Sequence, residues 1–137
     1  MNRALIFWPV LAQVLLTAIV WIRMYVVRLG EMRARRISPQ SIATSRAAAS
    51  ALENVVAADN FRNLFEVPVL FFAVCAALAS LDLVIPAQLA LGWAFVGLRY
   101  LHSFIHLTSN RVVYRFTAYV LSTLSVFGMW MLFAFQL

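Results

Sequence analysis

Four stretches of this chain, residues 4–27, 61–81, 84–107 and 112–135, are predominantly apolar and long enough to cross a lipid bilayer. An α-helix rises about 1.5 Å per residue, so roughly 20 apolar residues cover a hydrocarbon core of about 30 Å. Composition agrees: of 137 residues 64% are hydrophobic and 12% charged, with a mean hydropathy of +0.88. A soluble domain of this length has too little interior to hide so much apolar surface, which leaves an integral membrane protein. The expected fold class is all-α: a single domain, 1–137, forming a four-helix bundle of antiparallel up-down spans.

The first run begins after Arg3, as a signal peptide would. Its length and the lack of a small-x-small cleavage site make it a span instead. Pro9 sits near its start, and Arg23 and Arg28 near its far end, where long side chains reach the headgroups. The one sizeable polar connection is 28–60, with Ser38-Pro39 as a turn and an Ala-rich helix expected over Gln40 to Ala58, leading into the second span. Pro68 is expected to kink that span. The other two connections are short, which makes consecutive helices antiparallel neighbours.

Net charge is +6, and every cation is an arginine, because the chain contains no lysine. These arginines lie within or beside apolar runs, a pattern of membrane topology and anionic ligands rather than of nucleic acid. Eight of them flank the first and third connections, whereas the opposite side holds only Arg3. The positive-inside rule therefore predicts both termini outside and loop 28–60 in the cytoplasm; a bacterial inner membrane is the expected location. The lone Cys75 permits no intrachain disulfide and no cysteine metal cluster.

Ionisable residues inside the spans are the unusual feature, since a charge in hydrocarbon costs at least about 2.5–3.5 kcal/mol on insertion scales. Arg99, His102 and His106 fall at i, i+3 and i+7, on one helix face. Arg111, Arg115 and Tyr119 repeat this at steps of four on the next helix. Arg62 and Glu66 are spaced as i, i+4 partners, with Asn63 beside them. By helical rise, Glu66 lies about 7 Å into its span, Arg99 about 12 Å from the loop-side end of its own, and Arg115 about 6 Å beyond Arg111. Three spans thus bring polar groups to one level, with a surplus of cations that suits an anionic ligand. Two histidines at i, i+4 on one helix cannot grip a haem iron from opposite faces, and no metal site is expected.

At these residues the sequence resembles the MAPEG family, the membrane-associated proteins in eicosanoid and glutathione metabolism, in a bacterial-type form like microsomal glutathione transferases. The motif Arg62-Asn63-x-x-Glu66 with a following proline matches the family signature. Arg99-x-x-His102 with His106, Arg111, Arg115 and Tyr119 follows its glutathione-contacting positions, and Arg33 matches its helix-one arginine. The resemblance implies a homotrimer with glutathione, as cosubstrate, bound between adjacent subunits. Arg33, Arg62, Asn63, Glu66, Arg99, His102, His106, Arg111 and Tyr119 would bind the tripeptide, and Arg115 would stabilise its thiolate. His106 and Phe116 depart from the prostaglandin E synthase branch, which has tyrosine at the first position and can carry serine at the second. The expected activity is a glutathione-dependent transferase or peroxidase acting on lipophilic electrophiles or lipids. The alternative is a non-catalytic lipid- or glutathione-binding scaffold of the same fold.

Overall fold

The computed structural model describes residues 2–137. Its elements are α1 (Phe7–Arg35), α2 (Ser45–Ala51), α3 (Val56–Asn63), α4 (Val67–Ser80), α5 (Pro86–Leu107) and α6 (Val112–Ala134), with 3-10 turns at Arg3–Ile6 and Pro39–Ile42. Three helical stretches, Arg3–Arg35, Val56–Ser80 and Val112–Ala134, are long and apolar enough to cross a membrane. α5 has 22 residues but carries Gln88, Arg99, His102 and His106, all buried against its neighbours.

α1 extends eight residues beyond the expected end of its apolar run and stops at Arg36, which adopts a left-handed conformation (φ 53). There the Ile37 N–H donates to the Met32 carbonyl at 2.9 Å, closing a Schellman-type end. Ile37 packs beside Met32, Ala48 and Leu52, a small cluster that folds the polar connection back onto α1. The single helix expected over Gln40 to Ala58 does not form. Thr44 caps α2 by accepting from the Ala47 N–H at 3.1 Å, and Leu52 is extended (φ −99, ψ 134). Beyond it the backbone N–H groups of Glu53 and Asn54 donate to the Glu31 carboxylate at 2.6 and 3.1 Å. An acid on α1 thus takes donors that a continuing helix would have used internally.

The second span is broken rather than kinked. Pro68 has no N–H to offer the Leu64 carbonyl, so the ladder fails there, and Glu66 takes φ −88, ψ −99 as the chain turns from α3 into α4. Pro68 ends up in the first turn of α4, where a missing donor costs least. The break also undoes the expected Arg62–Glu66 pair, because i, i+4 adjacency needs an unbroken helix. Arg62 instead faces Asp59 at 3.7 Å, both exposed.

The bundle closes around Ile6, Phe71, Val74, Leu78, Phe95 and Val126, each fully buried, with Phe71 and Phe95 stacked at 4.5 Å. Burying such side chains contributes about 1.5–3 kcal/mol each relative to water, and in lipid their shape match fixes helix order. A second cluster, Leu16, Val20 and Leu64, sets the level at which α1 meets α3. The α5–α6 turn is closed by Asn110 (φ 46), whose N–H donates to the Ile105 carbonyl at 2.7 Å.

Candidate functional site

The broken span leaves the carbonyl of Asn63 outside any regular ladder, and Arg99 of α5 fills that position. Its Nη2 donates to the Asn63 oxygen at 2.7 Å, although the side chain is fully buried. The guanidinium carbon lies 5.5 Å from the centre of the Tyr119 ring on α6, within cation–π range. Tyr119 in turn offers its hydroxyl to Glu66 at 3.5 Å. A chain of contacts therefore runs from α3 through α5 and α6 to the start of α4. Arg99 keeps Nε and Nη1 without a hydrogen-bond partner among the described residues. Buried N–H groups of a cation are costly to leave unpaired, so this arrangement favours an acceptor-rich guest.

His102 lies beside Tyr119, ring centres 5.8 Å apart, and its Nδ1 bonds the Arg115 carbonyl at 3.0 Å. A carbonyl can only accept, so Nδ1 carries the proton and Nε2, buried without a partner, presents a lone pair when the ring is neutral. His106 is buried on the same face, its ring centre 5.7 Å from that of His102. The i, i+3, i+7 spacing thus does bring Arg99, His102 and His106 together inside the bundle. Arg115, half-buried, donates to the Asn110 side chain at 2.6 Å.

The expected set does not converge completely. Arg111 caps α6 and is exposed, and Arg62 is exposed beside Asp59. Arg33 is exposed in the last turn of α1, 13 residues beyond Val20. That is about 20 Å along the axis from the level where Val20 meets Leu64. Within one chain Arg33 therefore stands apart from the Arg99 cluster. Sequence reasoning also passed over Asn60 and Ser103, both buried, with the Ser103 hydroxyl donating to the Asn60 side-chain oxygen at 3.2 Å. Polar residues at i+4 after Arg99 and two before Arg62 were the available signal. Near the loop-side end a cavity of about 180 Å³ is lined by Arg23, Asn54, His106, Thr108 and Asn110 among others. No group of three or more His, Cys, Asp or Glu suited to a metal occurs among the described residues.

A family model described as the MAPEG family matches residues 6–135, nearly the whole chain. The chain belongs to the MAPEG family. No curated protein and no solved structure matches it. Membership fits the all-helical membrane architecture and supports, in general terms, a glutathione-related membrane function of transferase or peroxidase type. In this MAPEG protein the polar cluster occupies the loop-side half of the bundle. Its buried members are Arg99, His102 and His106, and Glu66 is exposed on the surface of a single chain.

Proposed function

We propose that this MAPEG protein binds glutathione at the Arg99–Tyr119–Glu66 cluster and uses it against lipophilic electrophiles, as a transferase or a peroxidase. The observation that carries this reading is Arg99: a fully buried guanidinium with two nitrogens unpartnered among the described residues. Glutathione has carboxylates for such donors and an ammonium group for Glu66, with Asn63, His102 and Tyr119 as further contacts in this reading. Arg115 is the thiolate-stabilising residue in this reading. A thiol is only about a few per cent ionised at neutral pH, and a guanidinium in a water-poor site favours its deprotonated form. In conjugation the thiolate sulfur forms a bond to an electrophilic carbon, which expels a leaving group or takes up a proton. In peroxide reduction the thiolate sulfur takes the terminal oxygen as the O–O bond breaks, the alkoxide takes up a proton and leaves as an alcohol, and a second glutathione displaces water from the resulting sulfenic acid to give the disulfide.

The same reading includes a homotrimer with glutathione between subunits, both termini outside, loop 28–60 in the cytoplasm, and a bacterial inner membrane. Arg33 and Arg111 belong to it as residues brought near the ligand by assembly or by ligand-induced movement. A non-catalytic glutathione- or lipid-binding scaffold is the second reading. It is favoured by the tether between Arg115 and Asn110, which occupies the proposed thiolate partner. The test is turnover by the purified protein with glutathione and a panel of hydrophobic electrophiles and hydroperoxides. Arg115→Ala is expected to lower turnover by about 10²-fold or more, the scale of losing one preorganised charge-stabilising donor, with glutathione affinity changed far less. Turnover retained in Arg115→Ala removes that residue from the chemistry. Binding without turnover in the wild type selects the scaffold.

A further inference from the structure

Two cavities of opposite character follow one another along the seam between α1 and the α3–α4 span. The one nearer the loop, about 220 Å³, is lined by Met24, Arg28, Leu52, Asn54, Asp59 and Arg62 among others. The deeper one, about 470 Å³, is lined by Val14, Ala18, Trp21, Phe61, Phe65 and Phe72 among others, with no charged residue. On α1 the residues Val14, Ala18, Trp21, Met24 and Arg28 advance by threes and fours, which keeps them on one stripe. Asp59, Arg62 and Phe65 step by three along the facing segment. From Arg28 to Val14 is 14 residues, or about 21 Å of helix, somewhat more than half of a 30 Å hydrocarbon core.

The polar end has a charge surplus. Asp59 faces Arg62 at 3.7 Å, but Arg28 pairs with no carboxylate among the described residues. A guest that satisfies Arg28 must bring a negative charge, and one that fills the deeper cavity must bring an apolar chain. We propose that this seam binds an anionic phospholipid of the loop-side leaflet, its phosphate at Arg28 and an acyl chain against Trp21, Phe61 and Phe65. The site does not rest on the glutathione reading: Arg28, Trp21 and the apolar wall take no part in that cluster.

Trp21 provides a direct reporter. With Trp8, Trp93 and Trp130 replaced by phenylalanine, the full chain is reconstituted into vesicles containing phosphatidylglycerol or phosphatidylcholine with brominated acyl chains, which quench a tryptophan they touch. Brominated phosphatidylglycerol is expected to half-quench Trp21 at a mole fraction roughly fivefold lower than phosphatidylcholine, the effect of one arginine on anionic-lipid affinity. The preference is expected to vanish in Arg28→Gln and to shrink in high salt. Where the three-fold tryptophan replacement prevents folding, the difference between wild type and Trp21→Phe gives the same readout. Equal quenching by the two lipids, or a preference that survives Arg28→Gln, overturns the proposal. So does the absence of quenching by either lipid, which would mean that a second copy covers the seam.

Discussion

Arg99 combines a full positive charge with complete burial, and that combination decides what its replacement does. Removing the guanidinium orphans the Asn63 carbonyl, a loss of about 1–3 kcal/mol. It also removes a buried ion whose desolvation costs several kcal/mol. The second effect is larger, so Arg99→Met is expected to leave the thermal midpoint of the ligand-free protein unchanged or raised. Glutathione at about 100 times its dissociation constant stabilises a binding protein by about 2.7 kcal/mol. Arg99→Met is expected to abolish that ligand-induced shift, read by thermal denaturation in detergent with and without glutathione. A shift of undiminished size in the variant would take Arg99 out of the site. The burial of this residue was legible in the sequence, because an arginine about 12 Å into a span has no cheap explanation in lipid. Its partner was not: no spacing rule marks the backbone oxygen of Asn63 as an acceptor. That carbonyl becomes available because α3 ends at Asn63, where the span breaks ahead of Pro68.

At the scale of elements, the polar connection departs most from expectation, and the reason is one side chain. Alanine-rich composition predicts a helix over Gln40 to Ala58, but Glu31 of α1 captures the N–H groups of Glu53 and Asn54 together with the Arg35 guanidinium at 2.8 Å. Contacts separated by more than 20 residues are invisible to local propensity, whereas the three helical stretches able to cross a membrane, set by length and apolarity, could be read directly. The Glu31 carboxyl lies beyond the apolar run, and the hydrogen bond from the Glu53 backbone is the largest influence holding its pKa below the usual value. A carboxyl depressed in the folded protein stabilises above its unfolded pKa, and that contribution disappears as pH falls through the folded one. The clasp is therefore expected to hold at neutral pH and to open in acid, below the ordinary carboxylate range. A nitroxide on Ser50→Cys, in a Cys75→Ala background, is expected to show a slow-motion spectrum at pH 7 and a mobile one in acid. Glu31→Gln is expected to be mobile at both. A label equally immobile in Glu31→Gln at pH 7 would show that the Met32, Ala48 and Leu52 packing holds the connection without the acid.

For the whole molecule, the distribution of exposed polar groups bears on assembly. A single chain buries Arg99, His102 and His106 but leaves Glu66 and Arg62 exposed at the start of the second span. Glu66 is held only loosely by Tyr119, at 3.5 Å. In hydrocarbon an uncovered carboxylate is as unfavourable as any charge there, and the partner that would offset it is absent because Arg62 is occupied by Asp59. Covering this face with another copy would enclose the proposed site and place the exposed acid in an interface. Closed rotational assemblies about the membrane normal keep every protomer at one depth, so each copy contributes the same polar level. The expected state is a trimer, whose mass in native mass spectrometry from mild detergent is 46.5 kDa, three times the 15.5 kDa of one chain. Glu66→Leu is expected to abolish glutathione binding while leaving the monomer folded, because leucine suits lipid and the Arg99 anchor is untouched. A wild-type protein that binds glutathione as a 15.5 kDa monomer would mean that Glu66 is satisfied within its own chain. The face between α4 and α6 would then be a complete site rather than half of one.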